Sequence, residues 1–164
     1  MELPAGYRLE NVWRTKADAL RAEIVDFWVR EGALPSRERA EARVDQVIFI
    51  VRHGAGEIAA GSTVYKQRNQ QLFNAFYYFR CFVAQAHRQY NLGAVLLLAV
   101  RDHLEERFRA GEDPDAIGLF VEVENERIRA KRNQAVWPYS KMVFVGRNAR
   151  GDDLRVYYFD GARI

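Results

Sequence analysis

The sequence predicts an α/β (α+β) chain with about six to seven strands and about four helices. Three observations lead there. Short apolar runs such as Val47–Val51 and Gly118–Glu124 have strand length and are separated by turns. Other stretches repeat apolar residues at helical period, as Leu20, Ile24, Phe27 and Trp28 do. The segment from Phe76 to Phe108 passes from an aromatic strand-like run, through a polar turn, into an amphipathic helix.

The elements follow in order along the chain. Tyr7 to Val12 reads as a strand. Thr15, with Asp18 three positions on, resembles a capping pair for a helix ending near Gly32. Pro35 and Ser36 open a second, charged helix through Arg43. Val47 to Val51, the turn His53-Gly54-Ala55-Gly56 and Glu57 to Lys66 form a hairpin, and a polar loop follows to Gln71. After the central segment come a loop at Gly111 to Asp115, a strand at Gly118 to Glu124 and a helix from Glu126 to about Trp137, broken by Pro138. Met142 to Val145 and Leu154 to Phe159 close the chain as strands. The predicted order is β, α, α, β, β, β, α, β, α, β, β.

A chain of 164 residues, 49% hydrophobic and 13% aromatic, fits one folded domain over 1–164 and excludes disorder as the default. Cys81 is the one cysteine, so no disulfide framework and no metal cluster are expected, and a reducing, cytoplasmic setting follows. The first ten residues lack a signal-peptide pattern, and no apolar run spans a bilayer. The net charge of +3 is mild and suits a polyanionic small ligand without discriminating further. The basic cluster at Arg127, Arg129, Lys131 and Arg132 reads as a solvated helix face rather than a nucleic-acid surface. Neither nucleic acid nor membrane is expected as a partner.

The most informative stretch is the turn Arg88-Gln89-Tyr90-Asn91-Leu92-Gly93. Asn91 and Gly93 are residues that tolerate left-handed backbone, and they stand where a helix begins with Leu97, Val100, Leu104 and Phe108 on one stripe. Such a turn aims N–H groups and the positive end of a helix dipole at one point, a generic phosphate site.

With Val83 five residues upstream, Arg88-x-x-Asn91-x-Gly93 resembles the acetyl-coenzyme-A-binding motif of the GNAT superfamily of N-acetyltransferases. Asn91 stands for that motif's first glycine, and Gln85 stands where proline is common. The predicted element order is similar to the family's over almost the whole length. The resemblance implies a mixed, mostly antiparallel sheet and, as the activity, attack of an amine on the thioester of acetyl-CoA without a metal.

The pantetheine arm is then expected to pair with the backbone of Phe82 and Val83, and the pyrophosphate to sit on N–H groups from Arg88 to Ala94, with Arg88 adding charge. Where the family has an asparagine seven residues before its tyrosine this chain has Arg132; of Asn133 and Asn125, Asn125 at the start of an extended helix is the preferred counterpart. Tyr139-Ser-Lys-Met-Val-Phe144 aligns with the family's Tyr-x-x-x-Gly-Phe, which makes Tyr139 the expected acid for the leaving thiolate; Tyr157 and Tyr158 are fallbacks.

A lysine-like ammonium must lose its proton first, at a cost of about 4.6 kcal/mol at pH 7. No glutamate lies on Phe76 to Val83, so Glu122 and Glu124, alternating on one strand face, are the candidate bases, with ion pairs to Arg80 or to the arginines from 127 to 132 as the structural alternative. The acceptor is expected to be a small-molecule or peptide amine; Arg80 suits a carboxylate-bearing one. Homodimerisation is left open. Trp28 and Leu34 fall where the family builds its acceptor site, although spacing also makes Trp28 a core residue. His53, in a turn, receives no role. Cys81 would need His87 or His103 as a base to act covalently, and strand alternation predicts a buried, inert thiol instead. The competing class is a non-catalytic CoA-binding sensor or interaction module on the same fold.

Overall fold

A computed structural model describes residues 1–164. The chain contains seven strands and four α-helices: β1 (Tyr7–Asn11), α1 (Asp18–Glu31), α2 (Arg37–Arg43), β2 (Val47–His53), β3 (Glu57–Asn69), β4 (Asn74–Val83), α3 (Leu92–Arg109), β5 (Gly118–Val123), α4 (Glu126–Lys131), β6 (Val143–Arg147) and β7 (Asp153–Tyr158). Short 3-10 helices occupy Val44–Gln46 and Gln85–Tyr90. The α and β elements follow in the order the sequence predicts. The sheet runs β1-β2-β3-β4-β5-β7-β6, with a parallel β4–β5 pair and antiparallel β1–β2, β2–β3, β5–β7 and β6–β7 pairs. No helix is long and apolar enough to cross a membrane.

Two compact units divide the chain: Met1–Val64 with Cys81–Val100, and Tyr65–Arg80 with Arg101–Ile164. In the first, α1 packs Ile24, Phe27 and Trp28 into a core with Val47, Ile50 and Ile58. Trp28 is thus a core residue, and Leu34 packs at the margin of the same cluster. The helix starts at Asp18, with Ala17 extended at its N-cap and no side-chain cap bond, so the predicted Thr15 capping pair does not form. Its end is as expected: Gly32 takes φ 66°, and its N–H reaches back to the last-turn carbonyls of Trp28 and Val29. Ser36 caps α2 by accepting from the Arg39 N–H at 3.2 Å.

The β2–β3 hairpin closes over Gly54-Ala55-Gly56 with His53 opposite Glu57. Gly54 and Gly56 both adopt positive φ, which the tight turn requires. Arg52, on the other face of β2, donates to Glu10 at 3.1 Å, to Glu23 at 3.0 Å and to the Gly56 carbonyl at 2.6 Å, joining β1, α1 and the hairpin. The hydrogen bond from Arg52 lowers the Glu23 pKa from its ordinary value of 4.5. Folded Glu23 therefore binds protons less readily than unfolded Glu23. The stability it contributes is complete above pH 4.5 and is lost as pH falls through the depressed folded value. Because Glu23 is half-exposed, that contribution is about 1 kcal/mol or less. Urea midpoints between pH 3 and 7 should fall on the acid side, and Glu23→Gln should flatten that limb; an unchanged slope would contradict the assignment.

In the second unit, Phe76, Tyr78, Phe120, Leu154 and Val156 form the core, with the Tyr78 and Phe120 rings stacked at 4.6 Å. α4 ends at Lys131, six residues short of the predicted end. The chain from 132 to 142 is instead an irregular loop, held by carbonyl acceptors rather than by a helical ladder. Arg155, 1% exposed in β7, donates to the carbonyls of Arg132 and Ala135 at 3.3 and 3.5 Å and stacks over Trp137 at 4.4 Å. The Trp137 indole N–H takes the Arg132 carbonyl at 2.8 Å.

Candidate functional site

β4 pairs with β5 only over Tyr77, Tyr78 and Phe79, opposite Leu119, Phe120 and Val121, and then runs on to Val83. At its end lie Cys81, Phe82 and Val83, in the first unit. The Phe82 ring is partly buried, edge-on to Phe27 at 5.9 Å. Arg88, exposed in the following 3-10 turn, donates from Nε to the Val83 carbonyl at 3.2 Å and lies 5.8 Å from the Phe82 ring centre. Part of its predicted anion-binding capacity is thus spent in tying the turn to the strand. Gln89 and Tyr90 are exposed, the latter against Tyr7 at 5.4 Å.

Asn91 has φ 58°, the left-handed conformation expected of it, and it separates the 3-10 turn from α3. Gly93 corrects the sequence reading. It is the second residue of α3 and is absent from the positive-φ residues; a Cβ there would lie 3.4 Å from Cys81 Sγ, in ordinary van der Waals contact. The N–H groups of Ala94 and Val95 donate to the Asn91 carbonyl at 3.1 and 3.4 Å, which starts the helical ladder. Leu92 and Gly93 precede those bonds, so their N–H groups stand at the open, positive end of α3. Leu92 keeps its own side chain buried.

Cys81 also departs from expectation. Its side chain is exposed rather than buried, yet it sits among enough protein atoms that desolvation pushes the thiol up to about 11. The thiol is therefore protonated near neutral pH, which is unfavourable for covalent catalysis. His87 Nδ1 is 2.7 Å from the Tyr7 hydroxyl.

The remaining sequence candidates lie in the second unit. Asn125 caps α4: its side-chain oxygen accepts from the N–H groups of Arg127 and Ile128 at 2.9 and 3.3 Å. It does start a helix, but one of six residues rather than the extended one expected. Glu122 and Glu124 are exposed and share Arg150, at 3.3 and 3.7 Å. This realises the ion-pair alternative with a partner other than Arg80 or the arginines from 127 to 132. Arg80 lies 4.6 Å from the Tyr65 ring centre.

Tyr139 stands 69% exposed in a loop closed by Trp137 N–H to Met142 carbonyl and Lys141 N–H to Trp137 carbonyl bonds, each 2.9 Å. Lys141 adopts φ 59° to complete the reversal. Arg101 of α3 donates to the Tyr139 and Ser140 carbonyls at 3.1 and 2.9 Å. Sequence reasoning misses this positioning role because the contact joins residues 38 and 39 positions apart. Tyr157 donates its hydroxyl to Glu105 at 2.9 Å, and burial, reinforced by Glu105, raises its pKa. Tyr158 is exposed.

The sequence matches no protein-family profile and no curated protein. Solved structures resemble it along nearly its whole length. A point mutant of the toxin AtaT, bound to the C-terminus of the antitoxin AtaR and acetyl-CoA, is 10% identical with a TM-score of 0.58, covering 94% of each chain. The same toxin complexed with acetyl-methionyl-tRNAfMet is 12% identical with a TM-score of 0.55, covering 93% of this chain and 94% of the other. A GNAT-family acetyltransferase from Streptococcus pneumoniae is 14% identical with a TM-score of 0.55, covering 92% and 96%. A spermidine N-acetyltransferase chimera of Vibrio cholerae SpeG and hSSAT is 13% identical with a TM-score of 0.54, covering 94% and 95%. At these identities the likeness is one of architecture, and the architecture is unambiguous: this chain has the GNAT acetyltransferase fold.

Proposed function

We propose that the chain, acting as one catalytic domain over 1–164, transfers an acetyl group from acetyl-CoA to a primary amine of a small molecule or peptide by direct attack in a ternary complex. The observation that carries this reading is the junction of β4 and α3: a strand that outruns its parallel neighbour, a turn released by Asn91 at positive φ, and a helix whose first N–H groups are open. That arrangement suits a pyrophosphate. The GNAT fold, with acetyl-CoA present in one AtaT structure, supports assigning the diphosphate to CoA.

On this reading the N–H groups of Leu92 and Gly93 bind the pyrophosphate, and Arg88 organises the turn besides adding charge. The backbone of Phe82 and Val83 pairs with the pantetheine arm, and an N–H there holds the thioester oxygen as charge develops. Asn125 faces the cofactor through its amide nitrogen, because its oxygen caps α4. Tyr139 returns a proton to the thiolate. Glu122 or Glu124 accepts the ammonium proton through water, in competition with Arg150.

One similar structure is named a spermidine N-acetyltransferase and another is a complex with acetyl-methionyl-tRNAfMet; spermidine and an unacetylated methionyl group each present a primary amine. The test is therefore CoA release over a panel of polyamines, amino-acid amides, peptides and methionyl-tRNA. It is run in a Cys81→Ser background so that released CoA is the only thiol. Amine-dependent release supports the transferase. CoA binding without release from any acceptor favours the sensor, and release with tRNA alone would overturn the expectation that nucleic acid is not a partner.

A further inference from the structure

A cluster outside the proposed acetyl-transfer machinery lies across the first unit's β1–β2–β3 edge. Register places Tyr7 opposite His53, and His53 opposite Glu57, so the three residues form one row across three strands. His87, from the 3-10 turn after β4, completes the group. Its ring lies 5.0 Å from that of His53 and perpendicular to that of Tyr7. One ligand atom each from His53, Glu57 and His87 falls within a mutual distance of 4.8 Å. Both histidines are half-buried and Glu57 is exposed, so the group is open to solvent on one side.

From this we infer that His53, Glu57 and His87 form a binding site for one divalent transition cation of the zinc class. Two imidazoles and a carboxylate are a donor set that such ions favour over calcium or magnesium. In a tetrahedral site with bonds of about 2.0–2.1 Å, neighbouring ligand atoms stand about 3.4 Å apart. The cluster must therefore contract by at most about 1.4 Å, which rotation of the exposed Glu57 side chain and small movements of the imidazoles can supply.

His87 already has the outer partner that metal-binding histidines generally have. The Tyr7 hydroxyl is 2.7 Å from Nδ1, and the tautomer that donates from Nδ1 to the Tyr7 oxygen keeps the lone pair on Nε2 for a cation. With three protein ligands the fourth position is open to water. The hairpin turn around Gly54–Gly56 and the turn Gln85–Tyr90 would then be joined through the ion, a cross-link from β2 and β3 to the segment leading into α3. The inference stands on this geometry alone and is independent of the acetyl-transfer reading.

The experiment uses the untagged, full-length, chelator-treated protein titrated with Co²⁺, then with Zn²⁺. One visible d–d band should grow to saturation at about one equivalent of Co²⁺, collapse on adding about one equivalent of Zn²⁺, and be accompanied by a rise in Tm. His87→Ala, His87→Gln and His53→Ala should each weaken Co²⁺ binding at least about 10-fold. Tyr7→Phe should weaken it by about the same factor, as loss of an outer partner does. Glu57→Gln should weaken it as well. His103→Ala, which removes the third histidine of the chain, and Cys81→Ser should leave it unchanged. Circular dichroism and the metal-free Tm show which variants remain folded, and the Gln and Ala pair at position 87 guards against a folding defect. Absence of a saturable band, binding that survives the His53→Ala/His87→Ala double variant, or binding lost in His103→Ala would overturn the inference.

Discussion

Tyr139→Phe is expected to lower kcat about 10²-fold or more while leaving acetyl-CoA affinity within about twofold. A positioned acid is typically worth 10²–10⁴ in rate, and this substitution removes one oxygen from an exposed side chain whose loop is fixed by other groups. Arg101 holds the Tyr139 and Ser140 carbonyls, and Arg155 holds those of Arg132 and Ala135, so the ring should stay where it is. Tyr157→Phe is the control. The Tyr157 proton is already given to Glu105, so its loss should cost about 1 kcal/mol of stability and little rate. Single-turnover CoA release in both variants decides between them, and an intact rate in Tyr139→Phe with a collapsed rate in Tyr157→Phe would move the acid to β7.

The largest effect on folding should come from Phe27→Ala, a loss of about 3–5 kcal/mol. Phe27 is 2% exposed in the core of the first unit, with the Phe82 ring edge-on and the Arg30 guanidinium 5.8 Å from its ring centre. Alanine would leave a cavity between α1 and the last residues of β4, which the surrounding β-strands are too rigid to fill. Because Phe82 belongs to the strand end proposed to pair with the pantetheine arm, acetyl-CoA affinity should fall as well. Phe27→Leu, which retains most of the volume, should recover most of the loss. Guanidinium unfolding measures both variants; a cost below about 1 kcal/mol for the alanine variant would show that the cluster is loosely packed.

The order of elements is legible because each strand and helix carries its own period and punctuation. Gly32 and Ser36 mark helix ends by local chemistry, and both do so in the structure. The features that escape the sequence depend on distant partners. The stretch after Lys131 has helix-forming residues up to Pro138, but Arg155 and Trp137 claim its carbonyls, and Arg155 is 20 or more positions away. Gly93 stands out in the sequence for its backbone freedom, whereas in the structure it lies within the first turn of α3 beside Cys81, a placement across the strand-to-helix turn that spacing does not encode. Alternation along β4 predicts a buried Cys81, but it does not register that β5 stops pairing at Phe79, and Cys81 is exposed. Glu122 and Glu124 are recognisable as a carboxylate pair, but their partner Arg150 arrives from the turn before β7. The histidine cluster needs the register of three strands and a turn 34 residues from His53, so no linear pattern announces it.

The β4 end, the Asn91 turn and the first turn of α3 are proposed to bind the diphosphate of CoA. Calorimetric titration of acetyl-CoA into the wild-type chain and into Gly93→Val is the test of that site. A valine at position 93 would set two methyl groups beyond a Cβ that already touches Cys81 Sγ, crowding the open end of α3 where the Leu92 and Gly93 N–H groups are proposed to meet the diphosphate. One site per chain is expected in the wild type, and affinity at least about 10-fold weaker in a Gly93→Val chain that remains folded. No binding by the wild type, or equal affinity in both proteins, would contradict it.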